Sequence, residues 1–85
     1  MNILFSARAW EDYGSWQRTD RKIAEKIHAV LKDISRNPYT GIGKPEPLKF
    51  ALSGYGSRRI TEEHRLVYGV EGGLIKVAQA RYHYE

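Results

Sequence analysis

Residues 19–38 read TDRKIAEKIHAVLKDISRNP, and the apolar members Ile23, Ile27, Val30, Leu31 and Ile34 recur at offsets of four, seven, eight and eleven residues. That spacing lines one side of an α-helix. Lys22, Glu25, Lys26, Lys32 and Asp33 fill the opposite side, so the helix has one face to bury and one to leave in water. Thr19-Asp20 supplies an N-terminal cap, and Asn37-Pro38 ends the helix because proline disfavours helical backbone in the residue before it.

Working outward, Asn2-Ile3-Leu4-Phe5 is a short run of strand formers and Ser6 a second cap. From Ala7 to Arg18, Trp10, Tyr13 and Trp16 recur every third residue, which predicts an amphipathic first helix with these rings on its buried side. The two helices form a hairpin. Downstream, residues 38–47 (PYTGIGKPEP) hold all three prolines of the chain and make a stiff irregular connection. The period then changes to two, predicting strands over Leu48–Leu52, Arg58–Glu62, His64–Val70 and Leu74–Tyr84. Ser53-Gly54-Tyr55-Gly56 and Glu71-Gly72-Gly73 are the expected turns. The expected fold is α+β: an N-terminal strand and a two-helix hairpin packed on an antiparallel sheet, as one domain over residues 1–85.

With 41% hydrophobic and 28% charged residues, the chain is too apolar for a solvated coil and too polar for a membrane span. The absence of cysteine removes thiolate nucleophiles, zinc-finger spacing and any mark of an oxidising compartment, so a cytoplasmic location is expected. Fourteen Lys and Arg against ten Asp and Glu leave a net charge of +4. Residues 1–43 and 44–85 each carry seven basic and five acidic side chains, so the excess belongs to the folded body and favours an acidic partner such as nucleic acid.

His28, His64 and His83 are too far apart for a metal-ligand motif, and no nucleophile elbow or glycine-rich phosphate loop occurs. No metal and no cofactor are expected. His28, at the edge of an apolar stripe, and His64, beside a turn, read as structural. Lys44, Lys49, Arg58, Arg59, Arg65 and Arg81 alternate with Tyr55, Tyr68, Tyr82 and Tyr84, a pattern that suits single-stranded RNA and equally an ordinary sheet with a basic outer side. Strand alternation sets Arg65 on the side of Val67 and Gly69, where its guanidinium calls for an anion: a structural carboxylate such as Glu62 or Glu63, or a substrate phosphate. Arg81-Tyr82-His83-Tyr84 closes the chain with a cation, an imidazole and two phenols, and histidine is the natural proton donor near neutrality.

The blocks Gly43–Lys49, Leu52–Gly54, Ser57–Tyr68 and Arg81–Tyr84, with Trp10, Asp12, Tyr13 and Trp16-Gln17 in the first helix, together resemble the YoeB toxins of the RelE superfamily nearly end to end. The resemblance implies a ribosome-dependent endoribonuclease that cuts mRNA in the ribosomal A site, is silenced by a YefM-type antitoxin and pairs as a homodimer. It implies Glu46 as general base on the ribose 2′-hydroxyl, Arg65 as clamp on the scissile phosphate, His83 as proton donor to the departing 5′-oxygen, and Tyr84 as an aid to placement. Lys44, Lys49, Arg59 and Arg81 would grip the RNA backbone, and Glu63 would orient an arginine. The products would be a 2′,3′-cyclic or 3′-phosphate and a 5′-hydroxyl, made without a metal.

Two residues depart from the family pattern: Gly56 stands where a bulky aromatic precedes Ser-Arg-Arg, and Glu85 extends the chain past the usual final tyrosine. One geometric difficulty follows from a tight Glu71-Gly72-Gly73 hairpin. It sets Arg65 opposite a residue near Gln79, so His83 falls about 13 Å further along the strand at roughly 3.3 Å per residue and the tail must curl back. The competing expectations are a gyrase-binding toxin of ParE type that cuts nothing, and a non-catalytic RNA- or ribosome-binding module.

Overall fold

The structure, a computed structural model, describes residues 1–48 and 54–82. Strand β1 (Asn2–Phe5) hands over at Ser6 to helix α1 (Ala7–Thr19), and α2 (Arg21–Arg36) follows directly. Ser6 caps α1 by accepting the Ala9 amide at 3.0 Å. Asp20 serves both helices. Its amide donates to the Trp16 carbonyl at 2.8 Å and closes α1, while its carboxylate accepts from Lys22 and Ile23 and opens α2.

Four more strands follow: β2 (Glu46–Pro47), β3 (Tyr55–Arg59), β4 (Arg65–Glu71) and β5 (Leu74–Gln79). Their order in the sheet is β1-β5-β4-β3-β2. The last four form the expected antiparallel meander, and β1 lies parallel to β5 at one edge. The α+β architecture is as anticipated, with a mixed rather than purely antiparallel sheet because the two helices carry the chain back beside β5. Pro47 is tolerated because β2 is the other edge, where a missing amide breaks no inner ladder.

The helices cover one face. Ala9 and Trp16 of α1 and Ala24, Ile27, Val30, Leu31 and Ile34 of α2 pack on Leu66, Tyr68, Ile75 and Val77. The apolar stripe of α2 is therefore as its period predicts. In α1 the buried members are Ala9 and Trp16, while Trp10 stays 61% exposed, contrary to expectation. Trp10 sits one position round the helix from Ala9, and the small residue is the one that fits against the sheet.

Three strand boundaries differ from the sequence pattern. Tyr55 and Gly56 belong to β3, not to a turn, and residues 60–64 form the turn instead, where Thr61 Oγ1 accepts the amides of Glu63 and His64. Strand β5 stops at Gln79 and not at Tyr84. The strand expected over Leu48–Leu52 lies mostly outside the described residues; the described strand there is Glu46–Pro47. Among the described residues no helix is long and apolar enough to cross a membrane.

Residues paired across adjacent strands share a face. One row of the face turned away from the helices is thus Glu46, Ser57 and Val67, of which Ser57 and Val67 are buried, and the next is Arg59 with Arg65. Arg58, Leu66 and Tyr68 point the other way, towards the helices.

Candidate active site

Glu46 reaches this face through a segment that leaves α2 at Asn37 and returns to the sheet at β2. Arg58 holds it down. The guanidinium is wholly buried; its Nη1 donates to Asp33 Oδ2 at 2.5 Å and to the Ile42 carbonyl at 3.2 Å, and its Nη2 donates to the carbonyls of Thr40, at 2.8 Å, and Asn37. Its Nε faces the Tyr68 hydroxyl, which itself donates to the Pro38 carbonyl at 2.6 Å. The Arg58 hydrogen bond, opposed by burial and helped by the Ile42 amide, holds the Asp33 carboxyl below its ordinary value. The basic pattern of the sequence groups Arg58 with Arg59, and only the family resemblance gives Arg59 alone a role on the RNA. Alternation sends the first into the protein and the second to the open face.

Gly43 completes the attachment. Its carbonyl accepts the Arg59 amide at 2.6 Å, its φ is +83°, and a β-carbon there would lie 2.9 Å from the Arg59 carbonyl oxygen. Only glycine suits so close an approach. Lys44 and Glu46 follow, both exposed beside β3. Glu46 and Arg65 lie two inter-strand spacings and two residues apart, about 12 Å between α-carbons at standard sheet spacings, so an exposed carboxylate and the two arginines share one face. Arg59 lies 3.6 Å from Glu62, an exposed pairing that leaves it on that rim.

Arg65 is held by main chain and by no ion pair among the described residues. Its Nη1 donates to the carbonyls of Thr61 at 3.0 Å, Glu62 at 2.9 Å and His64 at 3.3 Å. That grip on one nitrogen fixes the plane of the guanidinium and leaves Nε and Nη2 without a partner among the described residues, an edge suited to two oxygens of one phosphate. Glu63 does not orient an arginine among the described residues: its carboxylate lies 3.8 Å from His64 Nε2.

Tyr82 approaches Arg65 more closely than a regular hairpin allows. A bulge between Val67 and Tyr68 pairs Val67 with Gln79 while Tyr68 pairs with Val77, leaving Ala78 as the extra residue. The shift sets the Arg65 amide on the Tyr82 carbonyl at 3.0 Å. The gap expected between Arg65 and a straight tail is therefore absent as far as Tyr82, the residue before His83. Helix α1 secures the approach: Asp12 accepts the Ala80 amide at 2.9 Å, Trp16 Nε1 donates to the Ala80 carbonyl at 2.8 Å, and Ser15 Oγ takes Arg81 Nη1 at 2.8 Å.

Arg81, expected on the RNA, lies with its guanidinium 4.2 Å over the Trp16 ring, and its Nε is buried. It braces the tail. Lys49, His83 and Tyr84 lie outside the described residues. No three His, Asp or Glu side chains converge as a metal site among the described residues. A cavity of about 320 Å³ opens beside Gly56, the position where the family pattern has an aromatic, and is lined by Tyr39, Pro45, Pro47, Tyr55, Tyr68 and Val70.

Residues 5–84 match the family model of the YoeB-like toxin of bacterial type II toxin-antitoxin systems. The toxin YoeB of Escherichia coli strain K12 is 54% identical over 84 residues, covering 99% of this chain and all of that protein. A YoeB dimer from Staphylococcus aureus superposes with a TM-score of 0.94 at 54% identity, covering 99% of this chain and 98% of that one. A YoeB-YefM complex from the same organism gives 0.92 at 53%, with the same coverage. On this sequence and structural agreement, the chain belongs to the YoeB-like toxin family of bacterial type II toxin-antitoxin systems.

Proposed function

We propose that this toxin is a ribosome-dependent endoribonuclease that cuts mRNA in the A site and so stops translation in the cytoplasm. The observation that carries the reading is the sheet face turned away from the helices, on which Glu46, Arg59 and Arg65 stand in adjacent rows with Arg65 already oriented by three carbonyls. Glu46, exposed, takes the proton of the ribose 2′-hydroxyl, and the 2′-oxygen attacks the phosphorus. Arg65 carries the charge that grows on the phosphate oxygens. His83 gives a proton to the departing 5′-oxygen, Tyr84 helps to place the substrate, and Lys44, Lys49 and Arg59 hold the backbone.

The partners are a YefM-type antitoxin, a second copy of the chain, and the ribosome. Met1, Ile3, Leu4 and Trp10 are large apolar side chains left exposed, surface that a protein partner would cover. The test is cleavage of mRNA on programmed ribosomes, mapped by primer extension, with the parent and with Glu46→Gln, Arg65→Ala and His83→Gln. Each acid-base variant is expected to lose about 10²–10⁴-fold in rate while ribosome binding persists. A parent that leaves every message whole overturns the proposal, and retained ribosome binding in that case makes the chain a binding module.

A further inference from the structure

Tyr82 is held in a conformation that its own side chain disfavours. Its φ is +63°, in the left-handed region, where the β-carbon crowds the backbone. Such a residue persists only where its surroundings over-determine it. Both polar groups of the Tyr82 main chain are in fact taken, by two consecutive residues: the amide donates to His64 Nδ1 at 2.8 Å, and the carbonyl accepts from the Arg65 amide at 3.0 Å.

We infer that His64 is a positioning residue for the catalytic tail: its Nδ1 locks the main chain at Tyr82 beside Arg65 and thereby sets the point from which His83 starts. This rests on the reading of His83 as the proton donor.

The imidazole is built for that role and for no direct part in the reaction. It is buried, 8% exposed, and its ring stands edge-on to Trp16 at 4.7 Å and tilted against Tyr82 at 5.6 Å. Its own backbone is fixed on both sides, the amide donating to Thr61 Oγ1 at 3.0 Å and the carbonyl accepting from Ile60 at 2.9 Å. Accepting a hydrogen bond at Nδ1 requires the neutral tautomer with its proton on Nε2, and that nitrogen faces the Glu63 carboxylate at 3.8 Å. Because His64 and Arg65 are neighbours in the chain, one short segment carries both the phosphate clamp and the lock on the tail. The distance between clamp and tail is then fixed by two hydrogen bonds and one peptide unit.

Two substitutions separate the ring from the acceptor. His64→Phe keeps an aromatic ring against Trp16 and removes Nδ1, whereas His64→Asn drops the ring and places an amide oxygen near the position of Nδ1. Two readouts are taken on full-length protein: hydrogen exchange of the Tyr82 amide by NMR, and single-turnover and steady-state cleavage on ribosomes. Leaving that amide without an acceptor lowers the ratio of locked to unlocked tail by about tenfold. His64→Phe should therefore raise exchange of the Tyr82 amide about tenfold and lower kcat, by at most about tenfold, at unchanged KM, while His64→Asn stays within about threefold of the parent on both. A Tyr82 amide as protected in His64→Phe as in the parent overturns the inference. So does an exposed amide with undiminished kcat. If the parent itself cuts nothing, the nuclease reading has failed, and the exchange data still decide whether His64 holds Tyr82. Should both variants unfold, the parent alone gives the answer, since its imidazole nitrogen spectrum must show the His64 proton on Nε2, and a proton on Nδ1 overturns the inference.

Discussion

Replacing Arg58 by methionine keeps most of the buried stem and removes the guanidinium that joins the 37–42 segment to the sheet. Five contacts go: those to Asp33, to the carbonyls of Asn37, Thr40 and Ile42, and to the Tyr68 hydroxyl. Breaking a buried charge pair from one side costs about 3–5 kcal/mol. The lower end applies, because the three carbonyls belong to exposed residues that water can reach and the Asp33 side chain is itself 22% exposed. A loss of about 3 kcal/mol is severe for a domain of this size, whose whole stability is of the order of 4–13 kcal/mol.

Urea unfolding followed by tryptophan fluorescence measures it. With a slope of roughly 1–1.5 kcal/mol per molar for a small domain, the midpoint should fall by roughly 2–3 M. Arg58→Lys should recover less than half of this, since one ammonium cannot span a carboxylate and three carbonyls that a planar fork reaches together. The functional consequence follows from chain order: the segment freed by the substitution leads through Gly43 and Lys44 to Glu46. Cleavage should therefore drop even in the fraction that remains folded. An Arg58→Met midpoint within about 0.5 M of the parent would refute the clamp.

Asp33 gives a pH signature of the same clamp. Its carboxyl is held below the ordinary value, chiefly by the Arg58 hydrogen bond, so its stabilising effect is full above the ordinary carboxylate range and fades as the pH falls below it. The parent should lose urea resistance below about pH 4, and Asp33→Asn should be weaker at neutral pH with a flatter acid limb. Gly43→Ala forces a β-carbon to within 2.9 Å of the Arg59 carbonyl at a φ of +83°, and should cost about 1–3 kcal/mol, read as a fall in Tm of at least 4 °C by the usual scaling for small domains. Trp16→Phe removes the donor to the Ala80 carbonyl, and should cost about 1–3 kcal/mol in urea unfolding and raise hydrogen exchange at residues 80–82 more than in α2.

What could be read from the chain divides by the range over which each signal acts. The stripe from Ile23 to Ile34 and the caps at Ser6 and Asp20 depend on residues within a turn or two, and all stand as their spacing implies. Strand alternation singled out Arg65, while Glu46 entered only through the family resemblance, and the register of β2, β3 and β4 brings the two residues to one face. The misreadings came where size or residue type stood in for geometry. Trp10 outweighs Ala9 in any apolar pattern, yet the close approach of α1 to the sheet selects the methyl group. Arg58 and Arg59 are identical letters, and only strand alternation gives one to the protein and the other to solvent. The tail was hardest, because its position depends on an extra residue at Ala78, which has no local signature, and on an imidazole eighteen positions upstream of the amide it accepts. A histidine that looks incidental beside a turn becomes a structural anchor only once the bulge has delivered Tyr82 to it. Register, not composition, therefore decides which of this chain's polar residues brace the fold and which are left free to meet a substrate.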